Sequence, residues 1–60
     1  MSQPLTTADK ILDNSLILFA EKGYKETTID EIAKACGIAK GSIYIYYKSK
    51  EEIALAVLSK

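Results

Sequence analysis

The 60-residue chain contains no histidine, arginine or tryptophan, and Cys36 is its single cysteine. Without histidine or a second cysteine, the sequence offers no zinc ligand set and no Ser-His or Cys-His pair for nucleophilic catalysis. A lone cysteine cannot form a disulfide within the chain, and such cysteine usage is typical of a reducing compartment. We therefore expect no enzymatic activity, no metal and no cofactor.

Long apolar runs are also missing, so the sequence predicts neither a signal peptide nor a membrane span. The formal net charge is zero, which by itself argues against binding a polyanion. The charge is segregated, however, because the stretch from 34 to 50 contains lysines and no acid. Its lysines are Lys34, Lys40, Lys48 and Lys50.

The stretch from 28 to 47 predicts an amphipathic helix, a glycine turn and a second short helix. Thr28 and Glu31 match a capping box at the start of the first of these helices. In the first of these helices, four apolar residues are spaced so that they share one face, which we predict to be buried: Ile29, Ile32, Ala33 and Cys36. Gly37 follows at once, where glycine takes a left-handed conformation without a Cβ clash. Two helices joined by so short a turn cross steeply, as in helix-turn-helix proteins.

A longer helix is predicted to precede this unit. Thr6 and Asp9 match a capping box at its start, and Lys22 with Gly23 matches its end. Ile17 is interpreted as a surface hydrophobe in preference to a partner contact. The stripe expected to face the core comprises Ala8, Ile11, Leu12, Ser15, Leu16, Phe19 and Ala20.

Two helices are predicted in the second half of the chain. The third runs from Lys40 to Tyr47, with Ile43 and Tyr47 pointing into the core. Ser49 and Glu52 form a capping box that starts a fourth helix. Its core positions are predicted to be Ile53, Ala54, Val57 and Leu58.

Four segments carry a family resemblance: LFAEKGY, TTIDEIAKACGI, GSIY and YYKSKEEI, in this order and spacing. Together they resemble the N-terminal DNA-binding domain of the tetracycline-repressor (TetR/AcrR) family of bacterial transcription regulators. The resemblance implies an all-α, homeodomain-like domain of three helices plus the start of a fourth. We expect a loose tail at 1–5, the helix-turn-helix domain at 6–48 and the connecting helix at 49–60. One departure is Ala39, where the family commonly has Ser or Thr as helix cap.

The predicted DNA contacts surround the third helix. Lys40 lies at the helix end that usually reaches base edges, although a phosphate contact is equally consistent with its position. Tyr46 could instead pack partly on the core. The family resemblance implies that Lys50 and the tyrosine hydroxyls contact phosphates. The full set of predicted contacts is Thr28, Lys40, Gly41, Ser42, Tyr44, Ile45, Tyr46, Lys48 and Lys50.

The resemblance also implies partners that 60 residues do not include. Family members continue into a domain that dimerises and binds a small molecule, so we expect this chain to be a fragment or an isolated DNA-binding domain. The implied target is a pseudo-palindromic duplex operator in the bacterial cytoplasm and nucleoid, and the regulator is most often a repressor. The alternative is a small helical module that binds a partner protein through Tyr44 and Ile45, which would not require a lysine-rich turn.

Overall fold

The computed structural model describes residues 6–59, so the tail predicted for residues 1–5 lies outside the described residues. Four α-helices follow in order: α1 (Thr7–Lys22), α2 (Ile29–Cys36), α3 (Lys40–Tyr46) and α4 (Lys50–Ser59). The described part of the chain contains helices and turns without strands, which confirms the all-α prediction. No helix within it is both long and apolar enough to cross a bilayer.

The core forms where α1 packs against both α2 and α4, while α2 packs against α3. Every helix contributes at least one branched aliphatic side chain to it. The buried apolar residues are Ile11, Leu12, Ile32, Ala33, Ile43 and Ile53. Each fully buried isoleucine contributes roughly 1.5–3 kcal/mol, so four of them form a small core that fits a short domain.

Two predicted capping boxes are present in full. At the start of α1, the Thr6 hydroxyl accepts a hydrogen bond from the Asp9 amide at 3.1 Å, and the Asp9 carboxylate accepts one from the Thr6 amide. Thr28 and Glu31 form the same reciprocal pair at the start of α2, with both distances 3.1 Å. These bonds satisfy amides that have no partner inside the helix.

The third predicted box is only half formed. The Ser49 hydroxyl accepts from the Glu52 amide at 3.3 Å, but the Glu52 carboxylate accepts from the Lys48 amide rather than from Ser49. The predicted end of α3 also differs by one residue, because Tyr47 is extended with φ −137° and ψ 128°. This extended residue turns the chain towards α4 while its ring packs against the core.

The predicted core faces of α1 and α4 were partly wrong. Leu16 and Ala20 are exposed, whereas Leu18 packs against the core beside Phe19. Leu58 is 81% exposed, and Ala56 packs inward in its place. A helix with apolar residues on several sides has no unique stripe, so neighbouring helices decide which residues are buried.

Candidate nucleic-acid interface

The turn between α2 and α3 sets the position of the candidate interface. Gly37 has φ 74° and ψ 30°, which is the left-handed conformation predicted for it. Its amide donates to the Lys34 carbonyl at 3.1 Å, and the Ile38 amide donates to the Ala33 carbonyl at 3.0 Å. This pair of bonds is a Schellman motif, which ends α2 and turns the chain directly into α3. Ile38 packs against the core.

The two sides of α3 differ sharply in burial. Ile43 is fully buried and Tyr47 packs against the core, as the sequence predicted. On the outer side, Ile45 is 77% exposed, Tyr44 is 40% exposed and Gly41 is exposed. An exposed isoleucine beside a tyrosine and a glycine gains little from water, so this surface fits contact with another molecule.

Tyr46 lies at the end of α3 and is 48% exposed. It is absent from the residues that pack against the core, whereas its neighbour Tyr47 is among them. The alternative of core packing for Tyr46 therefore has no support in the structure. Its hydroxyl is available at the surface next to the exposed face of α3.

Lys40 is the first residue of α3 and about half exposed. Its ammonium nitrogen lies 3.5 Å from a carboxylate oxygen of Asp30, in the first turn of α2. An exposed ion pair of this kind contributes only about 0–1 kcal/mol, so another anion exchanges with it readily. The pair nevertheless holds the Lys40 head group beside the start of α2.

The starts of α2 and α3 differ in how their free amides are satisfied. Thr28 caps α2 with its hydroxyl, and the Glu31 carboxylate also pairs with Lys22. The Lys22 hydrogen bond, followed by the Thr28 amide, holds the pKa of Glu31 below its usual range. Ala39 precedes α3 with no side-chain cap, as the sequence predicted. Amides at the start of α3 are therefore left for solvent or a bound anion.

The remaining predicted contacts fall on the segment that joins α3 to α4. Lys48 is exposed. Lys50 is half-buried, and its ammonium donates to the backbone carbonyls of Tyr24 at 2.7 Å and Thr27 at 3.0 Å. The same ammonium lies 4.3 Å from the centre of the Tyr24 ring. Partial desolvation, and then the Glu51 carboxylate, raise the pKa of the Tyr24 phenol.

An open groove of about 360 Å³ lies on the surface where α2 meets the turn. Ala33 and Ile38 provide its apolar lining, and Asp30, Glu31, Lys34 and Lys40 provide charges of both signs. This mixture fits neither a buried apolar ligand nor a metal. Within residues 6–59, no three His, Cys, Asp or Glu side chains come together as a possible metal site.

Cys36 packs half-buried beside the core, in line with its predicted structural role. Its thiol lies 3.6 Å from the Lys10 carbonyl, and burial raises the pKa of the thiol. A raised pKa lowers the thiolate fraction at neutral pH, and the thiolate is the reactive form.

The structure thus brings six of the nine predicted residues onto α3 itself, at Lys40, Gly41, Ser42, Tyr44, Ile45 and Tyr46. Thr28 lies at the adjacent start of α2, and Lys48 and Lys50 follow α3. Two short helices joined by a Schellman turn, with the outer face of the second one exposed, define a helix-turn-helix domain.

The chain belongs to the tetR family of bacterial regulatory proteins, whose sequence pattern matches residues 11–57. A biofilm operon HTH-type negative transcriptional regulator of Staphylococcus epidermidis, IcaR, is 56% identical over 45 residues, which cover 75% of this chain and 24% of that protein. The uncharacterized HTH-type transcriptional regulator YuxN of Bacillus subtilis is 51% identical over 49 residues, covering 82% of this chain and 17% of YuxN.

Similarity extends to a solved structure. The fatty acid degradation regulator FadR from Bacillus halodurans superposes with a TM-score of 0.84 at 34% identity, over 93% of this chain and 30% of FadR. The chain therefore spans less than a third of the length of each of these relatives. The family match over residues 11–57 and the superposition of FadR over 93% of this chain confirm the predicted family and fold.

Sequence reasoning missed two partners of the predicted residues. No local pattern identifies Asp30 as a partner of Lys40, although a carboxylate in the first turn of α2 also lies near the start of α3. The Tyr24–Thr27 loop was assigned no function, although it holds the Lys50 ammonium. A lysine in the first turn of a helix opposes the dipole, and this was the available signal that Lys50 has a specific partner.

Proposed function

We propose that this chain is the operator-binding head of a ligand-responsive transcriptional regulator, most often a repressor in this family. The observation that carries the proposal is the exposed outer face of α3, where Gly41, Tyr44 and Ile45 lie beside Lys40 with no internal packing role. The family of bacterial regulatory proteins to which the chain belongs supports it. The description of IcaR as a negative regulator favours repression.

In this proposal, α3 enters the major groove with its first residues nearest the base edges. Lys40 leaves Asp30 and donates to guanine O6 or N7. Gly41 allows the backbone to approach the DNA closely, and Ile45 meets a thymine methyl group. Arginine, the usual bidentate ligand of guanine, is absent, so apolar contacts and DNA shape carry more of the specificity.

Phosphate contacts would hold α3 in register on the duplex. The α3 amides that precede Ser42, and the start of α2 at Thr28, suit anionic oxygens. The Ser42 amide itself donates to the Ala39 carbonyl at 3.0 Å, so Ser42 would offer its hydroxyl. Tyr44 and Tyr46 offer exposed hydroxyls, and Lys48 offers an exposed ammonium. These contacts surround the base-reading residues on both sides.

The whole regulator would act as a homodimer on a pseudo-palindromic operator in the bacterial cytoplasm and nucleoid. Dimerisation and ligand binding would use a domain outside these 60 residues. Linking two heads raises the effective concentration of the second head by orders of magnitude, so a single head should bind weakly. Titrations of this chain therefore belong at low ionic strength, where phosphate contacts are strongest.

The proposal is tested by separating base contacts from phosphate contacts. A preferred duplex is selected from a random-sequence pool, and each single-base variant then competes for the chain. Lys40→Ala should lose about 1–3 kcal/mol of discrimination at one base pair and little elsewhere. Tyr44→Phe, which removes a hydroxyl and no charge, should weaken all duplexes slightly and equally.

Lys25→Ala is the matched control, because Lys25 lies exposed in the loop between α1 and α2 and outside the proposed contacts. It should leave the ranking of base variants unchanged. If Lys40→Ala weakened binding to all duplexes equally, Lys40 would be a phosphate contact. Absence of any preferred duplex would favour the alternative, in which Tyr44 and Ile45 bind a partner protein.

A further inference from the structure

Lys50 connects α4 to the loop between α1 and α2. Its ammonium donates to two backbone carbonyls, those of Tyr24 and Thr27, and lies over the Tyr24 ring. A lysine ammonium has three N–H donors, so two are used within the protein. The distance of 4.3 Å to the ring centre is within the range of a cation–π contact.

The loop that Lys50 holds leads directly into the start of α2. Thr27 is fully buried, and its hydroxyl donates to the Gly23 carbonyl at 2.9 Å. The next residue, Thr28, is the cap of α2. The centre of the Tyr24 ring lies 5.2 Å from the centre of the Phe19 ring of α1. Lys50 therefore contacts the segment that sets where α2 begins.

We propose that Lys50 is a positioning residue for the DNA interface, in place of the phosphate contact that the family resemblance implied. It fixes the loop carbonyls and so holds the Thr28 end of α2 in register with α3 and α4. This inference rests on the proposed DNA-binding function and deepens it. The two carbonyls take two of the three N–H donors, and drawing the ammonium away from the loop would break both bonds and leave the Thr27 carbonyl, beside a fully buried side chain, without that partner.

Lys48 provides a matched control two residues earlier. It is a lysine on the same connecting segment, but it is exposed and does not share the loop carbonyls that hold Lys50. Lys50→Met and Lys48→Met each remove one positive charge and keep an unbranched apolar side chain. The two variants therefore lose the same formal charge and differ in the contacts of the ammonium that is removed.

Each variant is tested by thermal unfolding and by titration with an arbitrary-sequence duplex at several salt concentrations. Lys50→Met should lower the Tm by about 4–8 °C or more, because charged hydrogen bonds are lost. At a temperature where circular dichroism shows it folded, it should bind several-fold more weakly with an unchanged salt slope. Lys48→Met should keep the Tm and lower the salt slope by about one.

Two results would overturn the inference. A salt slope reduced by Lys50→Met as much as by Lys48→Met would make Lys50 a phosphate contact. Unchanged affinity of folded Lys50→Met would limit Lys50 to a role in stability. If Lys50→Met does not fold, Lys50→Gln keeps an N–H donor while removing the charge, and its salt slope decides between the same alternatives.

Failure of the proposed function gives a different pattern. The unaltered chain would then show no binding to the duplex, or binding with a flat salt response. Salt-dependent binding by the unaltered chain, together with a reduced slope for Lys50→Met, would instead contradict only the role proposed for Lys50.

Discussion

At the scale of single residues, Gly37 determines where α2 ends and α3 can begin. Its left-handed φ of 74° aligns two backbone hydrogen bonds that end α2, and a Cβ built on it meets nothing within 4 Å. Gly41 in α3 likewise has open space around a built Cβ, but it has no left-handed backbone. Neither position needs glycine for lack of space, and only Gly37 has a left-handed backbone. Alanine substitutions at the two positions therefore isolate the effect of backbone conformation.

Gly37→Ala should destabilise the domain by about 1–2 kcal/mol, because a Cβ strains the left-handed conformation even in open space. This corresponds to a Tm lower by roughly 4–8 °C per kcal/mol in a domain of this size. Gly41→Ala is the control and should keep or raise the Tm, since alanine favours a helix by about 1 kcal/mol over glycine. Equal Tm values for Gly37→Ala and the unaltered chain would contradict the assigned turn.

Local residue roles could be predicted from the sequence where they depend on neighbours along the chain. Thr6, Thr28 and Gly37 act through hydrogen bonds within five residues, and all three predictions are confirmed. The contacts of Lys50 span 23 and 26 residues, so no local pattern could identify its acceptors. The pairing of Lys40 with Asp30 likewise depends on how α2 and α3 meet.

At the scale of helices, the three described helix starts that have a Ser or Thr cap contrast with α3. Thr6, Thr28 and Ser49 each accept a hydrogen bond from an amide in the first turn of their helix. Ala39 has extended backbone angles, φ −75° and ψ 151°, that suit a capping residue but has no side-chain acceptor. The seven-residue α3 thus lacks a stabilising contact that the other helices have.

Ala39→Ser should supply this contact and raise the stability by about 0.5–2 kcal/mol. Ala35→Ser makes the same chemical change at an exposed position inside α2, where serine is slightly unfavourable. Thermal unfolding of both variants isolates the cap. Should the Ala39 variant be no more stable than the Ala35 variant, the start of α3 would lie elsewhere.

The start of α2 also predicts a pH dependence. Because Lys22 and the Thr28 amide lower the pKa of Glu31 in the folded state, the ionised carboxylate stabilises the fold above its unfolded pKa. That stabilisation is lost as the pH falls through the lowered folded pKa. Glu31→Gln keeps a residue suited to the capping box but cannot ionise.

A plot of Tm against pH below neutrality should therefore be shallower for Glu31→Gln than for the unaltered chain. Glu26→Gln, in the exposed loop before α2, removes one negative charge elsewhere and serves as the control. If both variants follow the pH profile of the unaltered chain, the Lys22–Glu31 pair does not contribute to stability in solution.

Helix faces were less predictable than helix ends, and the reason is physical. α2 has one clear apolar stripe, and its predicted core residues are buried or pack against the core. In α1, Leu16, Ile17 and Leu18 are consecutive apolar residues, so the sequence alone does not say which of them points inward. The packing of α1 on both α2 and α4 buries part of Leu18 and leaves Leu16 and Ile17 exposed.

At the scale of the whole molecule, a chain with no net charge can bind DNA only if its charges are separated in space. The acids Asp30 and Glu31 pair with Lys40 and Lys22, and this weakens the positive character that the sequence suggested for the turn. Lys48 remains exposed beside α3. Electrostatic attraction to DNA is therefore expected to be moderate, with a small number of phosphates neutralised.

The central claim is that the outer face of α3 binds duplex DNA, and the salt dependence of binding tests it most directly. An arbitrary-sequence duplex is titrated with the chain at several salt concentrations, starting from low ionic strength. The logarithm of the binding constant should fall linearly with the logarithm of salt concentration, with a slope of about −0.9 per neutralised phosphate. Ile45→Asp, at a position of α3 whose side chain is 77% exposed, should reduce the binding constant at every salt concentration. A flat salt response, or full binding by Ile45→Asp, would contradict the account.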